Sequence, residues 1–282
     1  MTDLWTVVRG RLPFEAEDAV AELIAELGGA GASVEPRADG TVEVAVYVAA
    51  NGAAPALRTR LAALGAHAVR VETLPDRDWM ASYRDSARAF AVGRRWWVDP
   101  LPEAPSPAPD GRLRLVVEPR TAFGSGSHES TRLVLEELED RPPTGRSVLD
   151  VGTGSGILAL AAERLGAATV VGFDLDPEAL WVARQTVALQ EWRSRVLLFA
   201  GPLGAIGDGA RFDRIVCNMI SEQFLPLVEA LVAMVHDGGE IVFSGLLEPE
   251  PEALAGRLRE AGLEVRSVRH EAGWAAVRTT RA

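Results

Sequence analysis

One cysteine, Cys217, stands among the 282 residues, so the chain can build neither an internal disulfide nor a cysteine-based zinc cluster. Long apolar runs are missing too, and nothing approaches the roughly 20 residues a membrane span needs. The start, Met1-Thr2-Asp3-Leu4-Trp5, passes straight into polar–apolar alternation. It has no basic region followed by an apolar stretch, so no secretory signal is expected, and the expected location is the cytoplasm, away from any membrane. Four scattered histidines, His67, His128, His236 and His270, lack metal-ligand spacing, and no metal is expected. The sequence also lacks a Lys/Arg run, and its formal net charge is −11. Nonspecific nucleic-acid binding rests on clustered cations, so no direct nucleic-acid contact is expected. An acidic surface is compatible with a basic protein partner and equally with plain solubility. Hydrophobic residues make up 48% and charged residues 24%, enough for a substantial core in one large domain or two ordinary ones.

Residues 1–74 read as a compact unit. Leu4–Gly10 alternates like a strand, and Glu15–Leu27 carries apolar residues at helical spacing before Gly28-Gly29. Ala32–Pro36 and Thr41–Ala49 are strand-like around the turn Ala38-Asp39-Gly40. Pro55–Leu64 follows as a second helix and Ala68–Leu74 as a last strand. The order β-α-β-β-α-β is the split βαβ pattern of a small α+β ferredoxin-like domain. Residues 75–111 form a bridge: a short helix over Asp76–Ala87, a strand-like Arg94–Val98, and the proline-rich Pro100–Asp110, expected to be extended and exposed.

Residues 112–282 alternate strand and helix. The strands are Leu113–Glu118, Ser147–Val151, Thr169–Asp174, Arg195–Phe199, Arg214–Asn218, Glu240–Gly245, Glu264–His270 and Ala275–Thr279. The helices are Ser130–Leu138, Ile157–Leu165, Pro177–Gln190, Gln223–Met234 and Glu250–Ala261. Apolar strands alternating with helices predict an α/β, Rossmann-like, mostly parallel sheet covered on both faces. The last two strands have no helix between them, which predicts an antiparallel edge hairpin.

The chemistry concentrates in VLDVGTGSGILALA, Val148 to Ala161, followed by VVGFDLD, Val170 to Asp176. An apolar strand enters the glycines and a helix leaves them. Gly152, Gly154 and Gly156 allow a tight turn and a close approach of ligand to main chain, and the N–H groups of the next helix face that ligand. Asp174 closes the second strand 22 positions after Gly152, where a doubly wound sheet places an acid against ribose hydroxyls. The ligand is therefore an adenosine derivative. Dinucleotide sites want a third glycine three positions after the second, whereas here the glycines are evenly spaced and Asp150 precedes them. The spacing D-x-G-x-G-x-G resembles class I methyltransferases, whose ligand is cationic and lacks a pyrophosphate.

Two further segments join it. AFGSGSHESTRLVLEELE, Ala122 to Glu139, is a Gly/Ser-rich loop entering an amphipathic helix. Ser127, Ser130 or Thr131 can cap that helix, and Thr131 is a candidate neighbour of the cofactor's amino-acid end. CNMI, Cys217 to Ile220, ends a strand, and Asn218 there would lie in the ligand crevice of an open α/β sheet. Its carboxamide can accept a hydrogen bond from an amine and orient the lone pair at a methyl group, so Asn218 is an amine-positioning candidate. Cys217 is expected to pack rather than react.

These residues are similar to those of the PrmA family, the bacterial ribosomal protein L eleven methyltransferases. AFGSGSHESTR resembles that family's AFGTGTHPTT signature, with Glu129 in place of its proline. DRDWMASYRD, CNMI, GGEIVFSGLL and GWAAVRTTR resemble its linker helix, post-strand motif, GG…SGIL segment and W…ITGRK ending. The likeness runs from about Asp76 to the C-terminus, and the N-terminal region matches only in size and element pattern. It implies S-adenosyl-L-methionine as cofactor, held by Thr131, Gly152, Asp174 and Asn218. The loop argument adds Gly154. It further implies methylation of lysine side chains and an N-terminal amine on a ribosomal protein chosen by the N-terminal domain, by a monomer. Competing readings are an N-methyltransferase for another protein or a small amine, a silent cofactor-binding module, and a dehydrogenase.

Overall fold

The structure, a computed structural model, describes residues 4–13, 31–37, 41–49, 53–75, 88–100, 107–109, 111–118, 124, 126–207 and 209–281. The helices expected over Glu15–Leu27 and Asp76–Ala87, the turn Ala38–Gly40 and much of Pro100–Asp110 lie outside them. The chain divides into two compact units, residues 1–86 and 87–282.

In the first unit, strands β1 (Leu4–Pro13), β2 (Gly31–Pro36), β3 (Thr41–Ala49) and β4 (His67–Pro75) form one sheet in the order β2-β3-β1-β4. Each neighbouring pair is antiparallel. The first strand sits between the third and fourth, as split βαβ winding demands. Alternation sends Val8 and Leu12 of β1, with Val42, Val44, Val46 and Val48 of β3, to one face. There they meet Leu57 and Leu61 of the helix Ala53–Ala63.

The second unit opens with a small sheet that the sequence reading left partly in its bridge. Strand β5 (Phe90–Val92) pairs antiparallel with β6 (Trp96–Asp99), and β6 pairs in parallel with β7 (Leu113–Val116). Trp96, Val98 and Leu115 are buried against Val134, Leu135 and Leu138 of the helix Glu129–Asp140. The main sheet comprises β8 (Ser147–Val151), β9 (Thr169–Asp174), β10 (Leu197–Ala200), β11 (Phe212–Asn218), β12 (Val235–Leu247), β13 (Leu263–Glu271) and β14 (Trp274–Arg281). Its order is β10-β9-β8-β11-β12-β14-β13, parallel except for β14. The closing hairpin is at the edge as expected, but its second strand takes the inner place beside β12.

Successive residues of β11 serve opposite layers. Ile215 and Cys217 join one core with Phe224, Leu231 and Leu254, while Val216 joins the other with Ile157 and Leu160. That double burial is why these strands are apolar without interruption. The helix expected over Gln223–Met234 is broken into Ser221–Phe224, a 3-10 turn at Leu225–Leu227, and Val228–Met234. Pro226 lacks an N–H and its ring crowds the preceding turn, so one continuous helix cannot form. Among the described residues no helix is long and apolar enough to cross a membrane.

Candidate functional site

Strand order reverses between β8 and β11, and in such sheets ligands bind in the crevice outside the carboxyl ends of the strands at that reversal. Asp150 is in β8, Asp174 ends β9 and Asn218 ends β11, so three of the singled-out residues converge there by topology.

The loop after β8 takes three left-handed glycines, at φ 66° for Gly152, 53° for Gly154 and 83° for Gly156. A side chain would be strained at each. Gly156 is the N-cap of the helix Ile157–Arg164 and supplies no side-chain cap. The loop is tied from three sides. Thr153 N–H donates to the Phe173 carbonyl at 2.9 Å. Gly154 N–H donates to Asp174 Oδ2 at 3.0 Å. Thr153 Oγ1 donates to Asp150 Oδ2 at 2.7 Å, and Ala159 N–H reaches the same oxygen at 3.1 Å.

Asp150 is 1% exposed, and burial pushes its carboxyl up to about 6 against the two hydrogen bonds. The sequence reading placed this acid near the loop to suit a cationic ligand. Its bonds make it an internal brace between loop and helix. Asp174 is half-buried, and its Oδ1 accepts the Asp176 N–H at 3.1 Å. Each Asp174 oxygen thus takes one backbone N–H and keeps a lone pair for a further donor. Asp176 then caps the helix Pro177–Ala188 through the Glu178 N–H.

On the other flank, Asn218 Nδ2 donates to Thr131 Oγ1 at 3.1 Å, joining residues from β11 and from the first turn of the Glu129–Asp140 helix. Thr131 is fully buried, while Asn218 Oδ1 is buried without any hydrogen-bond partner. A buried acceptor left unpaired costs about 1–3 kcal/mol, a cost that a donor brought by a ligand would remove. The cap expected from Ser127, Ser130 or Thr131 is instead His128, whose Nδ1 accepts the Ser130 N–H at 3.2 Å. The imidazole Nδ1 reaches the open amide as a Ser or Asp oxygen would, which leaves Thr131 to Asn218. The His128 ring meets Trp274 edge-on at 4.6 Å.

Several contacts in this site were not anticipated. Met219 closes the gap between the flanks, and a Cβ on Gly152 would sit 2.9 Å from its Sδ. Gly245 has φ 85°, and a Cβ there would be 2.6 Å from the Met219 carbonyl, so only glycine lets the chain pass. Ser244 Oγ donates to the Ser130 carbonyl at 2.9 Å, and Ser155 Oγ donates to that of Gly124, which ties Gly124 to the glycine loop. A glycine within an otherwise apolar strand stretch was the available signal for Gly245. Cys217 is buried and its thiol is pushed well up by burial, so it stays protonated.

Thr131, Gly152, Gly154, Asp174 and Asn218 are therefore linked at the carboxyl ends of the strands by the Thr131–Asn218 bond, the Met219 bridge and the Gly154–Asp174 bond. The donor set suits an adenosine ligand that is cationic at its other end: free carboxylate lone pairs, helix N–H groups and an unpaired amide oxygen. Among the described residues no group of three His, Cys, Asp or Glu side chains could hold a metal ion.

Comparison with known proteins gives concordant results. Residues 5–282 match the family model described as ribosomal protein L11 methyltransferase (PrmA). A protein of that name from Geobacter sulfurreducens is 33% identical over 296 residues, covering 97% of each chain. Another from Pelobacter propionicus is 38% identical over 212 residues, covering 73% of this chain and 68% of that protein. The crystal structure of a ribosomal protein L11 methylase from Lactobacillus delbrueckii subsp. bulgaricus superposes with a TM-score of 0.62 at 27% identity. That superposition covers 69% of this chain and 98% of the other.

Proposed function

Because the chain belongs to the PrmA family of ribosomal protein L11 methyltransferases, we propose that its crevice holds S-adenosylmethionine against Thr131, Gly152, Gly154, Asp174 and Asn218. It is an S-adenosylmethionine-dependent protein N-methyltransferase whose substrate is ribosomal protein L11. The acceptors we assign are lysine ε-amines and the N-terminal amine.

Bound S-adenosylmethionine supplies an electrophilic methyl group on a positively charged sulfur. Everything else is positioning by this chain. Asp174 offers its remaining lone pairs to ribose hydroxyls. The left-handed glycines bring main chain close to the ligand, and the helix that starts at Ile157 turns N–H groups toward it. Asn218, held at Nδ2 by Thr131, presents Oδ1 to an N–H of the incoming amine, which aims the nitrogen lone pair. In-line transfer asks for alignment and a deprotonated amine more than for a dedicated base. Asp150, the buried carboxyl nearby, has its Oδ2 engaged by Thr153 and Ala159 as a brace, and we assign the loss of the amine's proton to solvent before it enters.

The observation that carries this reading is the buried, unpartnered Asn218 Oδ1 beside Thr131. Residues 1–74, with a core of their own, are assigned to substrate recognition, and residues 112–282 to catalysis together with the part of the 75–111 bridge, from residue 87 on, that belongs to the second unit. We further assign the enzyme to the cytoplasm as a monomer, a reading that a ribosomal substrate supports for the location. The test is radiolabelled methyl transfer into ribosomal protein from cells lacking this enzyme. Label in L11 is expected, and label elsewhere would favour another protein or a small amine. Calorimetry should give S-adenosylhomocysteine binding and no NADH binding, and the reverse would turn the reading to a dehydrogenase.

A further inference from the structure

At the opposite end of the main sheet from the crevice lies a hollow of about 580 Å³, lined by Arg112, Arg114, Arg164, Glu191 and Trp192. Its walls are the last residue of the Ile157–Arg164 helix, the segment after the Pro177–Ala188 helix, and the ends of β7. The Arg164 guanidinium lies over the Trp192 ring, 5.1 Å from its centroid. Trp192 is fixed in turn by its Nε1–H, which donates to Glu163 at 3.0 Å. Glu163 also accepts the Arg195 N–H, which holds the Arg193–Arg195 segment beside the hollow. Arg112 is anchored through Nη1 to the carbonyls of Gly93 and Trp96, and among the described residues no carboxylate pairs with its charge.

Only Arg114 is neutralised here, by the buried Asp99 and by Glu191. Among the described residues Arg112, Arg164, Arg193 and Arg195 form no ion pair with a carboxylate. In a chain of net charge −11 that is a local excess of cation. The chain also contains no lysine, so all 29 of its basic residues are arginines. Guanidinium is a planar fork that matches phosphate oxygens in pairs, and its outer face accepts a stacked base. An acidic protein that gathers Arg112 and Arg164, neither ion-paired among the described residues, and an immobilised indole in one hollow, with Arg193 and Arg195 next in sequence to that indole, has the elements of a single-strand nucleic-acid site: cations tracking phosphates and flat surfaces for bases.

We infer that this hollow is a binding site for the phosphodiester backbone and a stacked base of single-stranded RNA. The inference stands on the hollow alone, independent of the methyl-transfer reading. The sequence held no basic run because these arginines come from separate stretches, around 112, at 164, and at 193–195, brought together by folding.

The test uses the full chain and a fluorescently labelled single-stranded RNA of about twelve nucleotides, read by anisotropy. Binding is expected at about 50 mM salt and should weaken steeply toward about 200 mM. The double variant Arg164→Glu with Arg193→Glu should lose roughly tenfold or more in affinity. The milder Arg193→Ala with Arg195→Ala should lose less while keeping an unchanged melting temperature. Both should bind S-adenosylhomocysteine and methylate free ribosomal protein as the wild type does, which separates failure of this site from failure of the crevice. Absence of binding at low salt, or equal affinity of wild type and both variants, would overturn the inference. Equal displacement by RNA and by inorganic polyphosphate at matched phosphate would overturn the base-stacking part.

Discussion

Two polar clusters of the seven-stranded sheet handle their groups in opposite ways. At the carboxyl end of β8, β9 and β11 they are left with capacity to spare: a buried Asn218 oxygen with no partner and Asp174 oxygens with lone pairs open. At the amino end of β11 and β12 the charges are matched to one another. Arg214 and Glu240, each 2% exposed at the side chain, pair directly. Glu240 also receives Arg141 at 2.9 Å and Arg278 at 3.2 Å. Arg278 Nε lies 2.9 Å from Glu137, and Arg269 Nε donates to Glu137 at 2.8 Å. The Arg278 contact is one of charge and falls outside hydrogen-bond geometry. Burial alone would raise the Glu240 carboxyl, but the guanidiniums of Arg214, Arg141 and Arg278 outweigh it and hold it below the usual range. Matched charges fasten helix to sheet, whereas unmatched ones wait for a ligand.

The largest test of that contrast is Glu240→Ala. It strands the Arg214 charge in the interior, and removing one partner of a buried pair costs about 3–5 kcal/mol. Urea unfolding should show that loss, while S-adenosylhomocysteine affinity, measured where the variant is folded, should not change. A loss under 1 kcal/mol would mean the amino end is not the fastening.

Asn218→Ala should do the reverse. Turnover is expected to fall roughly 10- to 100-fold through lost alignment of the amine. Stability should hold or rise slightly, because an unpaired buried oxygen is removed. Unfolding and steady-state kinetics on the same preparation decide it, and unchanged turnover would remove Asn218 from the positioning role. Asp174→Ala comes next, with cofactor binding weakened by about 1–3 kcal/mol in calorimetry. Wild-type affinity in that variant would misplace the ribose contact.

The smallest effect sharpens the comparison, because Asp150 sits at the carboxyl end yet its Oδ2 accepts two internal hydrogen bonds. Its folded-state carboxyl is raised to about 6 from 3.8, so the folded chain holds that proton more tightly than the unfolded one. The stability it contributes is complete below 3.8 and lost as pH rises through about 6. Asp150→Asn stays neutral throughout. Relative to wild type the variant should therefore gain about 1–2 kcal/mol between about pH 5 and pH 8 in paired denaturation curves. Parallel pH profiles would refute the raised carboxyl.

Legibility differed between elements for physical reasons. Thr41–Ala49, Ser147–Val151 and Thr169–Asp174 fall where the pattern put them, because apolar runs bounded by turn residues mark strands directly. Phe90–Val92 was missed because three residues are too few for a period to show. The break at Pro226 was present in the sequence but masked by apolar spacing on both sides. Within the site, glycine spacing and terminal acids were visible, since both are local. His128 as cap, Met219 against Gly152, and Ser244 under Ser130 were not, since each depends on a contact between distant segments.

Local chemistry in the sequence settled the loop of three glycines, the acid closing β9 and the asparagine closing β11, because turn geometry and strand ends follow from neighbouring residues. Tertiary structure decided which polar groups stay open and which are paired. Asp150 became a brace and Asn218 kept a free oxygen. Arg214 found Glu240, and Arg164 settled on Trp192 with no counter-ion among the described residues. Those outcomes depend on strand order and burial, which set the distance between charges and the water left to them, and no stretch of sequence holds both partners.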